Sequence, residues 1–128
     1  MNIALGTSGV RLSAVASFYD SETGSYTGQE VRAEVVLHDE HAKEYYAALE
    51  AQRPAIEKEM GEPLTWHNPR DKQMCRIWTR HKCNLENRDR WPEQQKWLLE
   101  KLERMHAVFG PRMRELKLQM EEETASQL

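Results

Sequence analysis

The sequence has little cysteine, no long apolar run and no excess of positive charge. Two cysteines in 128 residues, Cys75 and Cys83, are too few for a disulfide framework and favour a reduced, cytoplasmic protein. No apolar run approaches the ~20 residues that span a membrane, and the first residues lack the basic and apolar regions of a signal peptide. A net charge of −3 argues against bulk affinity for nucleic acid but leaves room for a local basic patch.

Short catalytic and metal-binding motifs are also missing. The chain has no phosphate-binding loop, no GxSxG and no HExxH, and no pair of acids followed by a lysine on a strand, which hydrolytic nucleases use to hold Mg²⁺. Cys75, His81 and Cys83 share one side of a predicted strand but lack the tight paired spacing of a structural zinc site. The sequence therefore predicts a protein that is not an enzyme and uses neither a metal nor a cofactor.

The most regular feature is a helical apolar stripe between Trp91 and Met120. Apolar residues recur there at steps of three and four: Leu98, Leu102, Met105, Phe109, Met113, Leu116 and Met120. A helix of this length, about 40 Å, covers a whole small sheet. Pro92 suits the first helical position, and Gly110-Pro111 predicts a bend. Three carboxylates at the negative pole of the helix predict that residues 121–128 form a frayed acidic tail.

Period-two alternation predicts strands in the first part of the chain. Leu12 to Phe18 and Val31 to Leu37 alternate between apolar and polar residues, with the polar loop 20–28 between them. Asp39 is predicted to cap a helix, which we expect to kink or break near residues 51–53 because of Pro54, and to end at a left-handed Gly61.

The order of elements predicts the fold class. Strands joined by short turns, followed by helices, give the order βββαββα and an α+β two-layer sandwich with a five-stranded antiparallel sheet and a long, kinked C-terminal helix. We expect residues 1–120 to form one domain. Leu102, Met105 and Phe109 should face Leu12, Ala14, Val35 and Ile77 across its core.

The strand predicted over residues 72–82 carries the candidate binding site. Its odd positions, Cys75, Ile77 and Thr79, suit the core. Its even positions are Lys72, Met74, Arg76, Trp78, Arg80 and Lys82, and the four cations with the indole (Lys72, Arg76, Trp78, Arg80 and Lys82) form the candidate site. Such a face would follow a phosphate backbone and stack a base, or grip an acidic partner protein. The alternative is that the cations pair across strands with Glu30, Glu34 and other acids on a solvated sheet face.

Several short motifs together resemble a known family. They are Gly61-Glu62-Pro63-Leu64-Thr65-Trp66, Arg76-Ile77, Trp91-Pro92-Glu93 with Trp97-Leu98, Phe109 with Pro111-Arg112, and the opening strands from Leu5-Gly6-Thr7-Ser8-Gly9 to Ala16. The chain resembles, from about Ile3 to Leu116, a bacterial domain-of-unknown-function family that commonly lies at the C-terminus of restriction-endonuclease-like proteins. The resemblance implies a role in DNA metabolism or phage defence and supplies no catalytic residues. Relative to the family pattern, we expect no nuclease module in this chain, and Pro54 stands where the pattern is a continuous helix.

Two functions follow from these features. The first is a non-catalytic accessory domain that contacts nucleic acid or a nuclease partner through the basic strand face. The second is a phage- or plasmid-encoded inhibitor, comparable to an anti-CRISPR protein, that blocks a bacterial immune complex by protein–protein contact. A small enzyme is a minor third interpretation, and a homodimer stays open.

Overall fold

A computed structural model describes residues 2–5, 8–18 and 29–126 of the chain. The predicted loop 20–28 lies outside these residues. The described elements are β1 (Asn2–Ala4), β2 (Val10–Ser17), β3 (Glu30–Leu37), α1 (Ala42–Glu50), α2 (Arg53–Met60), β4 (Thr65–His67), β5 (Cys75–Lys82), a short 3-10 turn (Arg88–Arg90) and α3 (Trp91–Ser126).

The strands form one antiparallel sheet in the order β1-β2-β3-β5-β4. Three strands of eight residues, β2, β3 and β5, make its centre, and β1 and β4 pair with its edges over three residues each. The α+β class, the antiparallel sheet and the long C-terminal helix are confirmed. The strand predicted to start at Lys72 starts instead at Cys75, because its neighbour β3 ends at Leu37, which lies opposite Cys75.

The core lies between one face of this sheet and the three helices. Leu102, Met105 and Phe109 of α3 are buried in a single cluster with Leu12, Val35 and Ile77, and Ala14 packs against it half-buried. Helices α1 and α2 add these side chains to the same cluster: Ala42, Tyr45, Tyr46, Leu49, Ile56 and Met60. The predicted packing of the apolar stripe on the sheet is confirmed.

The helical connection between β3 and β4 is broken as predicted. Helix α1 ends at Glu50 and α2 begins at Arg53, with Pro54 in its first turn, where its missing amide hydrogen costs little. Gly61 ends α2 with φ at 79°, a left-handed conformation that favours glycine. The predicted cap at Asp39 is wrong: α1 begins at Ala42, and the Asp39 carboxylate accepts a hydrogen bond from the His41 amide, 2.8 Å away, ahead of the helix.

Helix α3 continues through Pro111 without a break. The guanidinium of Arg112 donates a hydrogen bond to the Val108 carbonyl at 2.8 Å, close to the carbonyl that loses its partner to the proline. The helix extends to Ser126 and so includes the three consecutive carboxylates of the tail. Their fraying in solution stays a prediction. Within the described residues, none of the helices has the length and apolar character needed to cross a membrane.

Candidate nucleic-acid interface

The sheet face opposite the helices, here called the far face, carries the even positions of β3 and β5. The strand registers add odd positions of β2 and β4 to it. The residues on the three strands β3, β5 and β4 are Glu30, Arg32, Glu34, Val36, Arg76, Trp78, Arg80, Lys82, Thr65 and His67. All buried apolar side chains of the described helices belong to the core on the other face, so the far face is where this sheet presents its polar side chains.

Two carboxylates on the far face are buried beneath guanidinium groups. Glu30 is 0% exposed and Glu34 is 3% exposed. Arg32 donates to Glu34 at 2.8 Å through Nε and to Glu30 at 3.3 Å through Nη1, and Arg80 donates to Glu30 at 3.3 Å. Alternation predicted these acids on a solvated face. They are instead covered, because long arginine stems lie across the sheet and place their charged ends over the carboxylates.

The other end of the far face holds cations with no acidic partner. In residues 2–5, 8–18 and 29–126, no carboxylate lies within 4 Å of Lys72 or Arg76. The Arg76 guanidinium donates a hydrogen bond to the Met74 sulfur at 3.4 Å. These cations line a concavity of 520 Å³, here called the basic pocket, whose walls are Arg32, Glu34, His67, Pro69, Lys72, Met74, Arg76 and Trp78.

Trp78 forms the floor between the two ends of the far face. The Arg32 guanidinium lies over its ring, 5.9 Å from the centroid, and the His67 ring is tilted against it at 5.9 Å. The indole nitrogen is buried and has no hydrogen-bond partner among the described residues. Because Arg32 covers the ring on one side and His67 lies against it, Trp78 is not an open stacking surface.

The five residues of the predicted site therefore lie in two separate parts of the far face. Lys72, Arg76 and Trp78 meet in the basic pocket, whereas Arg80 is paired with Glu30, and Lys82 lies opposite Glu30 in the strand register. The sequence analysis missed the pocket residues Arg32 and His67. Strand pairing brings both residues to the pocket: β3, which carries Arg32, pairs with β5 so that Glu34 lies opposite Trp78, and β4 pairs with β5 so that His67 lies opposite Arg76.

A family model described as "Domain of unknown function (DUF4268)" matches residues 1–113 of the chain. The chain belongs to this family. No curated protein and no solved structure matches it. The match includes every residue of the basic pocket in this DUF4268 domain and ends within α3, two residues beyond the Pro111 position. The association with nucleases that the sequence resemblance implies stays a prediction.

The basic pocket of the DUF4268 domain is rich in hydrogen-bond donors and poor in acceptors. Lys72, Arg76 and Arg32 supply N–H groups, while its carboxylate, Glu34, is 3% exposed and already bonded to Arg32. A ligand that satisfies these donors must bring acceptors and negative charge. The arrangement fits an oxyanion.

The two cysteines of the domain have the character of protonated thiols. Burial raises the pKa of Cys75, with Lys43 opposing, and burial together with the charge of Glu30 raises the pKa of Cys83. A raised pKa lowers the fraction of reactive thiolate. Among the described residues, no group of three or more His, Cys, Asp or Glu side chains is arranged to hold a metal ion.

Proposed function

We propose that this DUF4268 domain is a non-catalytic accessory module that binds nucleic acid through the basic pocket of its far face, beside a nuclease in the bacterial cytoplasm. The observation that carries the proposal is the convergence of Lys72 and Arg76, which have no acidic partner among the described residues, with the guanidinium of Arg32. The nuclease context rests on the sequence resemblance.

Phosphate is the group of a nucleic acid that this surface suits. Lysine and arginine neutralise phosphates and release counterions, which supplies much of the affinity of such complexes. Arg32 is held by Glu30 and Glu34 at 3.3 and 2.8 Å, so its guanidinium is oriented before a ligand arrives. A pre-oriented donor loses little conformational entropy on binding. Contacts of this kind position a strand without reading its sequence.

Charge reversal tests the proposal. Binding of short single-stranded and double-stranded DNA and of RNA is measured by fluorescence anisotropy over a salt series. Lys72→Glu/Arg76→Glu should weaken binding strongly and reduce the salt dependence of the affinity that remains, because it removes the two cations that have no acidic partner among the described residues. The matched control is Lys58→Glu/Lys96→Glu, which changes the net charge equally at exposed helical positions outside the pocket.

Two results would contradict the proposal. One is a wild-type domain that binds none of these nucleic acids. The other is equal loss of binding in the pocket variant and in the helical control, which would trace the effect to net charge alone. Circular dichroism of both variants shows whether the fold is intact. Arg80 is a poor test residue, because reversing its charge sets a new carboxylate against the buried Glu30.

The second candidate is an inhibitor that uses the same cations to hold an acidic protein of a bacterial immune complex. The net charge of −3 favours it, since a compact acidic patch is repelled less by the rest of the domain than a long polyanion is. Capture of a purified immune complex by the wild-type domain, lost in Lys72→Glu/Arg76→Glu, together with no binding of free nucleic acid, would select this function.

A further inference from the structure

Among the described residues, the cations of the far face that have no acidic partner lie together at one end of the face and are not spaced along its length. Of the five residues predicted to bind, Arg80 is bonded to Glu30, and Lys82 lies opposite that same carboxylate. Lys72 and Arg76 lie together at the other end, in the basic pocket. A groove that follows a nucleic-acid backbone needs cations spaced along its whole length. The described far face offers instead one localised site.

The size of the basic pocket also favours a single chemical group. Its volume of 520 Å³ lies in the range of pockets that enclose small ligands, roughly 300–1,000 Å³. Pro69, Met74 and Trp78 give it apolar walls between the cations. A phosphate within a strand carries a sugar on both sides, whereas a phosphate at the end of a strand enters a concavity with its free oxygens first.

The charge of the ligand should match that of the pocket. A phosphate monoester carries about −1.5 to −2 at neutral pH and three terminal oxygens, whereas each phosphodiester of a backbone carries one negative charge. Lys72 and Arg76 supply two cations without acidic partners, and Arg32 presents a guanidinium oriented by two carboxylates.

We infer that the basic pocket binds the terminal phosphate monoester of a nucleic-acid strand, so that the domain recognises strand ends. This inference rests on the proposed function and narrows its ligand. Lys72 and Arg76 neutralise the two charges of the monoester, and Arg32 donates to one of its oxygens. The chemistry is recognition of a phosphate without any covalent step.

The test compares strands that differ only at their ends. One short DNA sequence is prepared with a 5′-phosphate, with a 3′-phosphate, with hydroxyl groups at both ends, and as a covalently closed circle; the 5′-mononucleotide is the fifth probe. Isothermal titration calorimetry measures each affinity. One phosphorylated linear strand should bind about tenfold or more tightly than the hydroxyl-ended strand and the circle, the effect of one additional charge-assisted contact.

Variants test whether the preference for phosphorylated strand ends depends on the residues of the basic pocket. Arg76→Gln should remove most of the difference between phosphorylated and hydroxyl-ended strands, and Lys96→Gln, at an exposed helical position, should leave it unchanged. Lys72→Gln is a second pocket variant at an exposed residue outside the strands, which keeps the test informative if Arg76→Gln does not fold. The log–log salt slope should be about −1.5 for two phosphate-neutralising cations, compared with about −3 for four spread along a strand.

Each of the other possible outcomes contradicts a different claim. Equal affinity for the circle and the phosphorylated strands would overturn recognition of ends and leave nucleic-acid binding intact. Equal affinity for the mononucleotide and the phosphorylated strand would contradict the claim that the ligand is a strand end, because the pocket would then bind a free nucleotide. No binding of any probe would contradict the proposed function itself.

Discussion

Replacing Arg32 with methionine tests the buried charge layer of the far face. Arg32 donates to Glu34 at 2.8 Å and to Glu30 at 3.3 Å, and the side chains of Arg32 and Glu34 are only 12% and 4% exposed. Methionine keeps most of the apolar stem and removes the charge. Solvent therefore has little access to the carboxylate that loses its partner.

The expected cost follows from the partners that remain. Removing one member of a buried ion pair typically destabilises a protein by about 3–5 kcal/mol, because the other charge stays buried and unpaired. Glu30 keeps its bond to Arg80 at 3.3 Å, so Glu34 bears most of the loss. We therefore expect Arg32→Met to lower the free energy of unfolding by about 2–4 kcal/mol.

Urea unfolding at neutral pH measures this value, provided that the transition is two-state. Arg76→Met is the matched control, because Arg76 lies on the same face without an acidic partner, and it should cost less than about 1 kcal/mol. Arg32→Met/Glu34→Gln should recover part of the loss, since the orphaned charge is gone. A cost for Arg32→Met below about 1 kcal/mol, or no larger than that of the control, would refute the reasoning.

Four further changes test the rest of the fold by measurements of the free energy of unfolding. Phe109→Ala should cost about 3–5 kcal/mol, because Phe109 is fully buried in the core; a loss below about 1 kcal/mol would contradict that packing. Gly9→Ala should cost about 2–3 kcal/mol, since its φ of 84° is left-handed and the new Cβ would collide with the Asp39 carboxylate. Gly61→Ala should cost only about 1 kcal/mol, because its φ is 79° but nothing lies within 4 Å of the added atom; equal costs for the two glycines would remove the collision as a cause. Burial tends to raise the pKa of Glu57, but hydrogen bonds from a backbone amide and a guanidinium outweigh it and lower the pKa below 4.5. The folded state therefore stabilises the charged carboxylate of Glu57 relative to the unfolded chain. This contribution to stability is present above pH 4.5 and is lost as the pH falls through the lowered pKa of the folded state. Glu57→Gln should therefore weaken the acid dependence of the free energy of unfolding, and an unchanged acid dependence would contradict this account.

The parts of the fold that follow from local patterns were predicted from the sequence. The steps of three and four from Leu98 to Met120 identify α3 and its buried face, because a helix returns a side chain to the same side at that spacing. Pro54 and Gly61 mark the start and the end of α2 for equally local reasons, a missing amide hydrogen and a left-handed φ.

The site was predicted less completely, because it depends on the pairing of strands distant in sequence. Alternation places Glu30 and Glu34 on the far face but does not reveal that arginine stems from the same strand and from β5 cover them. The end of the β5 ladder depends on where β3 stops, and so Lys72 is not on the strand. His67 reaches the pocket only because β4 pairs with β5 at the sheet edge.

The distribution of charge over the whole domain favours one direction of approach for a polyanion. A cleft of 770 Å³ between the start of α1 and the end of α3 is lined by these acids: Asp39, Glu40, Glu44, Glu121 and Glu123. Besides burial, the charges of Asp39, Glu44 and Glu121 raise the pKa of Tyr45, so the potential in the cleft is negative. The basic pocket has the opposite sign and lies on the sheet face turned away from the helices. For the proposed strand ligand, long-range repulsion at the cleft and attraction at the pocket would orient the strand before contact. A net charge of −3 is therefore compatible with binding of an anion at the basic pocket, provided that the anion is small enough to contact the pocket without also lying near the acidic cleft.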